Sequence, residues 1–224
     1  MEKYQNINIL YEDNHLLVVV KPSNMPVCLD QSKDMDLLSI LKSYLKEKYQ
    51  KTGNVYLGLV HRLDRPVMGI MVFAKTSKAA SRLAKQINNK EFKKTYYAVI
   101  SGIPLKKDTL TDYLVRDEKK NTSNITDKEH GKLAVLNYEL IKTIDNLSLI
   151  KINLLTGRHH QIRVQFASRG YPLYGDHRYN KDFFNDNNTD IALIAKELSF
   201  VHPVTKQELS FMIDLPKKYP YSLF

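Results

Sequence analysis

The chain has 224 residues, 43% of them hydrophobic, which suits one large domain or two small ones and is too apolar for a disordered protein. Its formal net charge of +10 favours a polyanionic partner, either nucleic acid or an acidic membrane face. The lone cysteine, Cys28, excludes an internal disulfide and a thiolate metal cluster. No apolar run approaches a membrane span, and the polar residues 1–8 have no signal-peptide core, so the chain reads as cytoplasmic.

In chain order, residues 7–11 and 15–20 read as strands of a hairpin around Glu12-Asp13-Asn14. Lys21-Pro22 ends the second strand. Leu37, Leu38, Leu41, Tyr44, Leu45 and Tyr49 follow helical spacing, which predicts a helix over 36–51 closed by Gly53. Residues 55–60 and 70–74 are strand-like apolar runs. Thr76 or Ser77 can cap a second helix to about Asn89, and 93–101 alternates as a strand. The charged stretch 116–132 has no apolar periodicity and reads as a loop. Strands are expected at 133–143 and 147–155, then a helix over 158–169 with Gly170 ending it, a polar loop at 180–190, and strands at 191–201 and 208–215. The pattern is α+β, dominated by antiparallel strands.

Two stretches carry chemistry. His61-Arg62-Leu63-Asp64-Arg65-Pro66-Val67-Met68-Gly69 joins two apolar runs, with Pro66 barring a ladder donor and Gly69 free to take positive φ. Arg62 and Arg65 beside Asp64 would keep the carboxylate ionised, as a nucleophile or electrostatic stabiliser requires; a plain salt-bridged turn reads the same way. The second is Leu155-Thr156-Gly157-Arg158-His159-His160-Gln161-Ile162-Arg163, where Thr156 as cap would put three basic groups into a first helical turn. The macrodipole disfavours each by about 0.3–1 kcal/mol, so the pattern serves an anion site or is merely tolerated by solvent. On a helix, His159 and His160 would project about 100 degrees apart and could not share a metal ion.

Together these stretches resemble the RluA-type family of RNA pseudouridine synthases over nearly the whole chain, from about Leu10 to Pro216. His61-Arg62-Leu63-Asp64 with Gly69 matches the most diagnostic motif. Lys94-Thr95-Tyr96-Tyr97-Ala98-Val99 looks like the tyrosine-bearing strand, and 155–164 is similar to the Thr-Gly-Arg-x-His-Gln-Ile-Arg segment. Gly170 to Asp176 and Phe200-Val201-His202-Pro203 match two later landmarks. The chain departs from the family at Val67-Met68, where many members have Thr-Ser, and at Gln165 and Ile194, where His is common.

The resemblance implies a single catalytic domain over 1–224, without a separate N-terminal RNA-binding domain. Its fold would be a mostly antiparallel mixed sheet flanked by helices and loops, with a cleft across the sheet. It implies an isomerase acting on a flipped-out uridine of ribosomal or transfer RNA, with no cofactor, no metal and no obligatory protein partner, as a monomer. By family match, Asp64 is the catalytic carboxylate, Tyr96 packs on the base, and Arg163 pairs with the acid. Arg62, Arg65, Arg158, His61 and His160 would contact RNA. Two other readings compete: a catalytically silent RNA-binding protein on the same fold, and a nucleoside hydrolase, which would want a second carboxylate that the motifs do not supply.

Overall fold

The computed structural model describes residues 7–30, 32–186 and 188–224, so most of the polar stretch 1–8 lies outside the described residues. The class is α+β. The chain divides into two compact units, Met1–Phe92 with Glu197–Ile213, and Lys93–Lys196 with Asp214–Phe224.

In the first unit, β1 (Asn8–Glu12) and β2 (Leu16–Lys21) form the expected hairpin. Asp13 makes its turn: Oδ1 accepts from the backbone N–H groups of His15 and Leu16, both at 2.7 Å. β2 is buried along its whole length, which explains its unbroken apolar run, since a strand covered on both faces has no reason to alternate. It pairs antiparallel with β4 (Met68–Ala74), whose last two residues also take the short β3 (Gly58–Leu59). The run 55–60 thus yields a much shorter strand than its composition suggests. Gly58 passes so close to the helix at Ala80 that a Cβ there would lie 3.1 Å from the alanine methyl.

The two helices of this unit are α1 (Leu37–Lys48) and α2 (Ser77–Asn88). Asp36 caps the first through a 3.0 Å bond from Ser39 N–H, and Thr76 caps the second through a 3.1 Å bond from Ala79 N–H. Gly53 does not close α1. Gln50 takes the left-handed position at φ 49, and Lys51 N–H reaches back to the Lys46 carbonyl at 2.9 Å. Lys90 ends α2 in the same way, at φ 62 with Glu91 N–H on the Gln86 carbonyl. Non-glycine residues hold both positions because the reverse-reaching bonds outweigh a modest backbone cost. Leu16, Val18, Ile70, Val72, Leu83, Phe92, Leu198 and Phe200 make the core; the last two come from β10 (Leu193–Val201), which pairs with β11 (Glu208–Met212).

In the second unit, β5 (Lys93–Ser101), β9 (Leu147–Leu154), β8 (Lys132–Ile144), β6 (Lys107–Asp117) and β7 (Thr122–Thr126) lie side by side in that order, all antiparallel. Tyr96, Ile152 and Tyr138 stand opposite one another in register and share a face. α3 (Gln161–Ala167) covers that face, with Phe166 edge-on to Tyr138 at 5.2 Å. Two expectations change here. The stretch 116–132 is no loop: it holds the end of β6 and all of β7. β7 lies at the sheet edge, and among its five residues only Ser123 is fully buried, so it needs no apolar pattern. The helix over 158–169 shortens to seven residues, because Thr156 spends its hydroxyl on Val135 and Gln161 instead of capping. Gly170 does follow the helix end, at φ 81. Among the described residues no helix is long and apolar enough to cross a membrane.

Glu12 ties β1 to both α1 and the end of β4. Its Oε2 accepts from Tyr44 at 2.9 Å and Lys48 at 2.7 Å, its Oε1 from Tyr49 at 2.6 Å and Lys75 at 2.8 Å. Burial alone would raise its pKa, but the donors from Lys48, Lys75, Tyr49 and Tyr44 prevail and hold it at about 2. A depressed carboxyl stabilises fully above its unfolded pKa and loses that contribution as pH falls through the folded one. Glu12→Gln should therefore cost about 2 kcal/mol at pH 7. The gap between wild type and variant in urea melts should shrink steadily from pH 4.5 towards pH 2.

Candidate active site

The first unit presents Asp64 on the connection between β3 and β4. Leu63 and Val67 are buried on either side and anchor the loop, and Val67 N–H closes a turn on the Asp64 carbonyl at 3.0 Å. Gly69 has φ 144 where it pairs with Lys21 at the start of β4, so positive φ is required at this position.

Lys21 holds this loop from beneath, a role sequence reasoning missed. Its side chain is 0% exposed at the end of β2, and its Nζ donates to the carbonyls of Pro22 at 2.9 Å, Met25 at 2.8 Å and Arg65 at 2.9 Å. All three ammonium hydrogens are used, and they tie the loop after β2 to the residue following Asp64. Burial pulls the Lys21 pKa down to about 7, against the pull of the Asp64 charge, which raises it. The available signal was a lysine closing an otherwise wholly apolar strand.

The cations beside Asp64 are not equivalent. Arg65 turns away: Nη1 donates to the Ser32 hydroxyl at 3.0 Å, Nη2 pairs with Asp34, and Asp30 lies 4.0 Å off. The Arg65 guanidinium, expected from sequence to hold Asp64 ionised and to contact RNA, is thus paired with the carboxylates of the 30–34 loop. Arg62 is exposed, and among the described residues it has no carboxylate within ion-pair distance. His61 faces the sheet: its Nε2 accepts from Val72 N–H at 3.1 Å and its ring packs on Phe92 at 5.3 Å. That geometry fixes the start of the loop.

The second unit presents Tyr96 and Arg163 on one face of its sheet. Tyr96 is buried in β5, and Arg163 precedes Phe166 by three residues, so both project from the same side of α3. Arg163, 3% exposed, grips the fully buried Asp176 through Nε to Oδ2 at 2.8 Å and Nη2 to Oδ1 at 2.7 Å. The guanidinium also lies over the Tyr179 ring at 5.2 Å. Asp176, which the sequence marked only as the end of a family landmark without a role, is thus the partner that lets an arginine be buried. Lys94, also on the Tyr96 face, has its pKa lowered by burial, and its Nζ lies 3.4 Å from where a Cβ on Gly157 would stand.

The basic stretch before α3 differs from its expected form. Arg158, His159 and His160 precede the helix instead of forming its first turn, and His160 is its N-cap at φ 52 with no side-chain cap bond. A seven-residue helix so begun offers no anion site of its own. The two imidazoles stack, with centroids 3.8 Å apart, instead of diverging. The Ser123 hydroxyl donates to the His159 carbonyl at 2.8 Å, so its 2.9 Å contact with His159 Nδ1 uses the ring as donor. His160 Nδ1 lies 2.9 Å from the Tyr179 hydroxyl. Burial pushes the His160 pKa down to about 2, and Arg163, His159, Arg178 and Arg116 add to the effect. That depression favours the neutral imidazole, so an RNA contact by His160 would be a hydrogen bond and not an ion pair. Arg158 is exposed, with Nε on the Leu133 carbonyl at 2.9 Å.

Residues 15–168 match the RNA pseudouridylate synthase family. The chain belongs to that family. It is therefore an isomerase that converts uridine to pseudouridine in RNA, and its resemblance to RluA-type members holds. It is 33% identical to a ribosomal large subunit pseudouridine synthase D of Zymomonas mobilis, over 94% of this chain and 70% of that one. A ribosomal large subunit pseudouridine synthase C of Buchnera aphidicola is 32% identical over 96% of this chain and 69% of its own length. The fold is also that of human RNA pseudouridylate synthase domain containing 4, with TM-score 0.79 at 21% identity, covering 96% of this chain and 91% of that one.

Lys21→Met keeps the stem and removes the three donors. It should lower stability by roughly 3 kcal/mol in urea melts, since three carbonyls lose their partner. A lysine whose folded pKa lies below its unfolded one carries a penalty at low pH that fades as pH rises through the window between them. Wild-type stability relative to Lys21→Met should therefore increase from about pH 7 towards pH 10.5.

Proposed function

We propose that this isomerase acts on uridines of large-subunit ribosomal RNA, with residues 1–224 working as one catalytic domain in the cytoplasm. Supporting the target class are the names of the relatives, which include both a synthase C and a synthase D at almost equal identity.

Asp64 is the proposed catalytic carboxylate, on the strength of the His61-Arg62-Leu63-Asp64 motif and its rigidly anchored loop. The reaction breaks the bond from N1 of uracil to C1′ of the ribose, turns the base, and joins C5 to C1′. The C5 proton is lost and N1 takes up a proton, so atoms balance without a co-reactant. An ionised carboxylate can bond to, or stabilise, the electron-poor sugar formed on the way. Tyr96 is proposed to stack on the uracil and help move the proton. Arg163 is the proposed cationic partner that keeps the acid negative in a dry site, where an unpaired carboxylate would neutralise. Arg62 and Arg158 are proposed phosphate contacts, supported by exposure and by the lack of any carboxylate partner among the described residues. Extracting the uridine from a helix costs a few kcal/mol, which phosphate contacts and stacking repay.

Total RNA incubated with the full chain, then mapped by carbodiimide modification and primer extension, tests the reading. New stops with wild type that vanish with Asp64→Asn, while RNA affinity stays within about threefold, are the expected result. Release of free uracil would instead reveal a hydrolase, and tight binding without product a silent binder. Arg158→Ala should weaken RNA binding about tenfold at low salt and flatten its salt dependence. Unchanged affinity would remove Arg158 from the phosphate contacts.

A further inference from the structure

The five arginines of the second unit fall into two sets. Arg163 and Arg169 each pair with a carboxylate, Asp176 at 2.7 Å and Asp112 at 2.9 Å. Arg116, Arg158 and Arg178 have no carboxylate within ion-pair distance among the described residues, and each is oriented by a neutral oxygen. Arg116 Nη2 donates to Asn121 Oδ1 at 3.0 Å, Arg178 Nη1 to the Lys120 carbonyl at 3.0 Å, and Arg158 Nε to the Leu133 carbonyl. Arg116 and Arg178 therefore both bond to residues of the turn at the tip of the β6–β7 hairpin.

We propose that Arg116 and Arg178 form a clamp for the phosphodiester backbone of the RNA substrate, separate from the contact at Arg158. This inference rests on RNA being the substrate. Arg116 stands directly opposite Ser123 in the ladder, so both leave the same face of the hairpin, the face on which Ser123 meets His159. Asp117 is the next residue along the strand and projects from the opposite face, and it caps the turn by accepting from Lys120 N–H at 3.0 Å. Around the tip, Arg116, Lys119, Lys120 and Arg178 stand against Asp117 and Glu118. Neither acid reaches the two guanidinium groups.

The clamp is preorganised. Asp176 fixes the Arg178 main chain by accepting its N–H at 3.0 Å, and Tyr179 locks the neighbouring loop to β7, accepting from Ser123 N–H at 2.6 Å. The neutral, buried His160 lies within the field of both arginines and adds no charge of its own. Each arginine spends a single N–H on its carbonyl, which leaves a planar fork suited to phosphate oxygens. Phosphate fits this arrangement better than an acidic side chain would, because the contacts track a strand already held by Arg158.

The test is fluorescence anisotropy of a labelled uridine-rich RNA oligonucleotide with the full chain, between 50 and 200 mM KCl. Arg116→Ala/Arg178→Ala should raise Kd about tenfold and reduce the slope of log Kd against log salt by roughly 1.4, about 0.7 for each lost phosphate contact. Lys107→Ala/Lys142→Ala removes the same net charge elsewhere in the unit and should change Kd by less than about twofold. Arg116→Gln/Arg178→Gln, which keeps a donor on each carbonyl, should match the alanine pair and guard against a folding defect. An unchanged slope in the arginine variants, or an equal loss in the lysine control, overturns the clamp. Isomerisation is not read in this assay, so a changed slope without pseudouridine would sink the proposed reaction alone, and an unchanged slope with pseudouridine the clamp alone.

Discussion

The second unit depends on one buried ion pair. Arg163 and Asp176 are both removed from water, where an uncompensated charge would cost several kcal/mol, and they meet with two parallel hydrogen bonds. The acid does further work: its Oδ1 also accepts from the backbone N–H groups of Arg178 at 3.0 Å and Tyr179 at 3.3 Å. The loop that carries Tyr179 is thereby shaped by the same carboxylate that holds Arg163. Tyr179 returns the connection, with its ring beneath the guanidinium and its hydroxyl joined to both Ser123 and His160. A polar edge strand with almost no apolar burial is held in place by this chain of contacts, not by a core of its own.

The first unit solves the complementary problem around an amine and a carboxylate. Lys21 is a cation whose three partners are all carbonyls, so its charge is solvated by the backbone it organises. Glu12 is an anion whose partners are two ammonium groups and two phenols from separate elements. In both cases several donors or acceptors converge on one atom group, so the burial penalty is met by number of bonds rather than by a single strong one. The loop bearing Asp64 thus rests on Lys21 as well as on its own buried Leu63 and Val67.

Legibility in the sequence followed from where each signal originates. Strands such as 93–101 and both capped helix starts were readable because alternation, spacing and capping chemistry are local. β7 was not, since an edge strand stabilised by Ser123 and Tyr179 has no apolar signature, and the β6 stretch at 107–117 alternates too weakly to stand out. Helix ends misled because left-handed Gln50 and Lys90 replace the glycine that pattern reasoning looks for. At the site, the motif acid, tyrosine and arginine were visible as residue types, but the roles of Asp176 and Lys21 show only through partners distant in the chain. The charge state of His160 was left open by the sequence for the same reason: burial, and neighbours far apart in the chain, set it.

The distribution of arginine partners carries the argument one step further. A basic protein could spread its excess charge evenly, with each arginine balanced by a nearby acid, and would then have little field left for RNA. Here the balancing acids are spent on Arg65, Arg163 and Arg169, whose tasks are to hold loops or a buried pair. Among the described residues Arg62, Arg82, Arg116, Arg158 and Arg178 are left to solvent and to neutral oxygens. Such a division costs some stability through mutual repulsion. It is reasonable only if a polyanion supplies the missing charge, and an arginine already oriented by a carbonyl loses less freedom when that polyanion arrives.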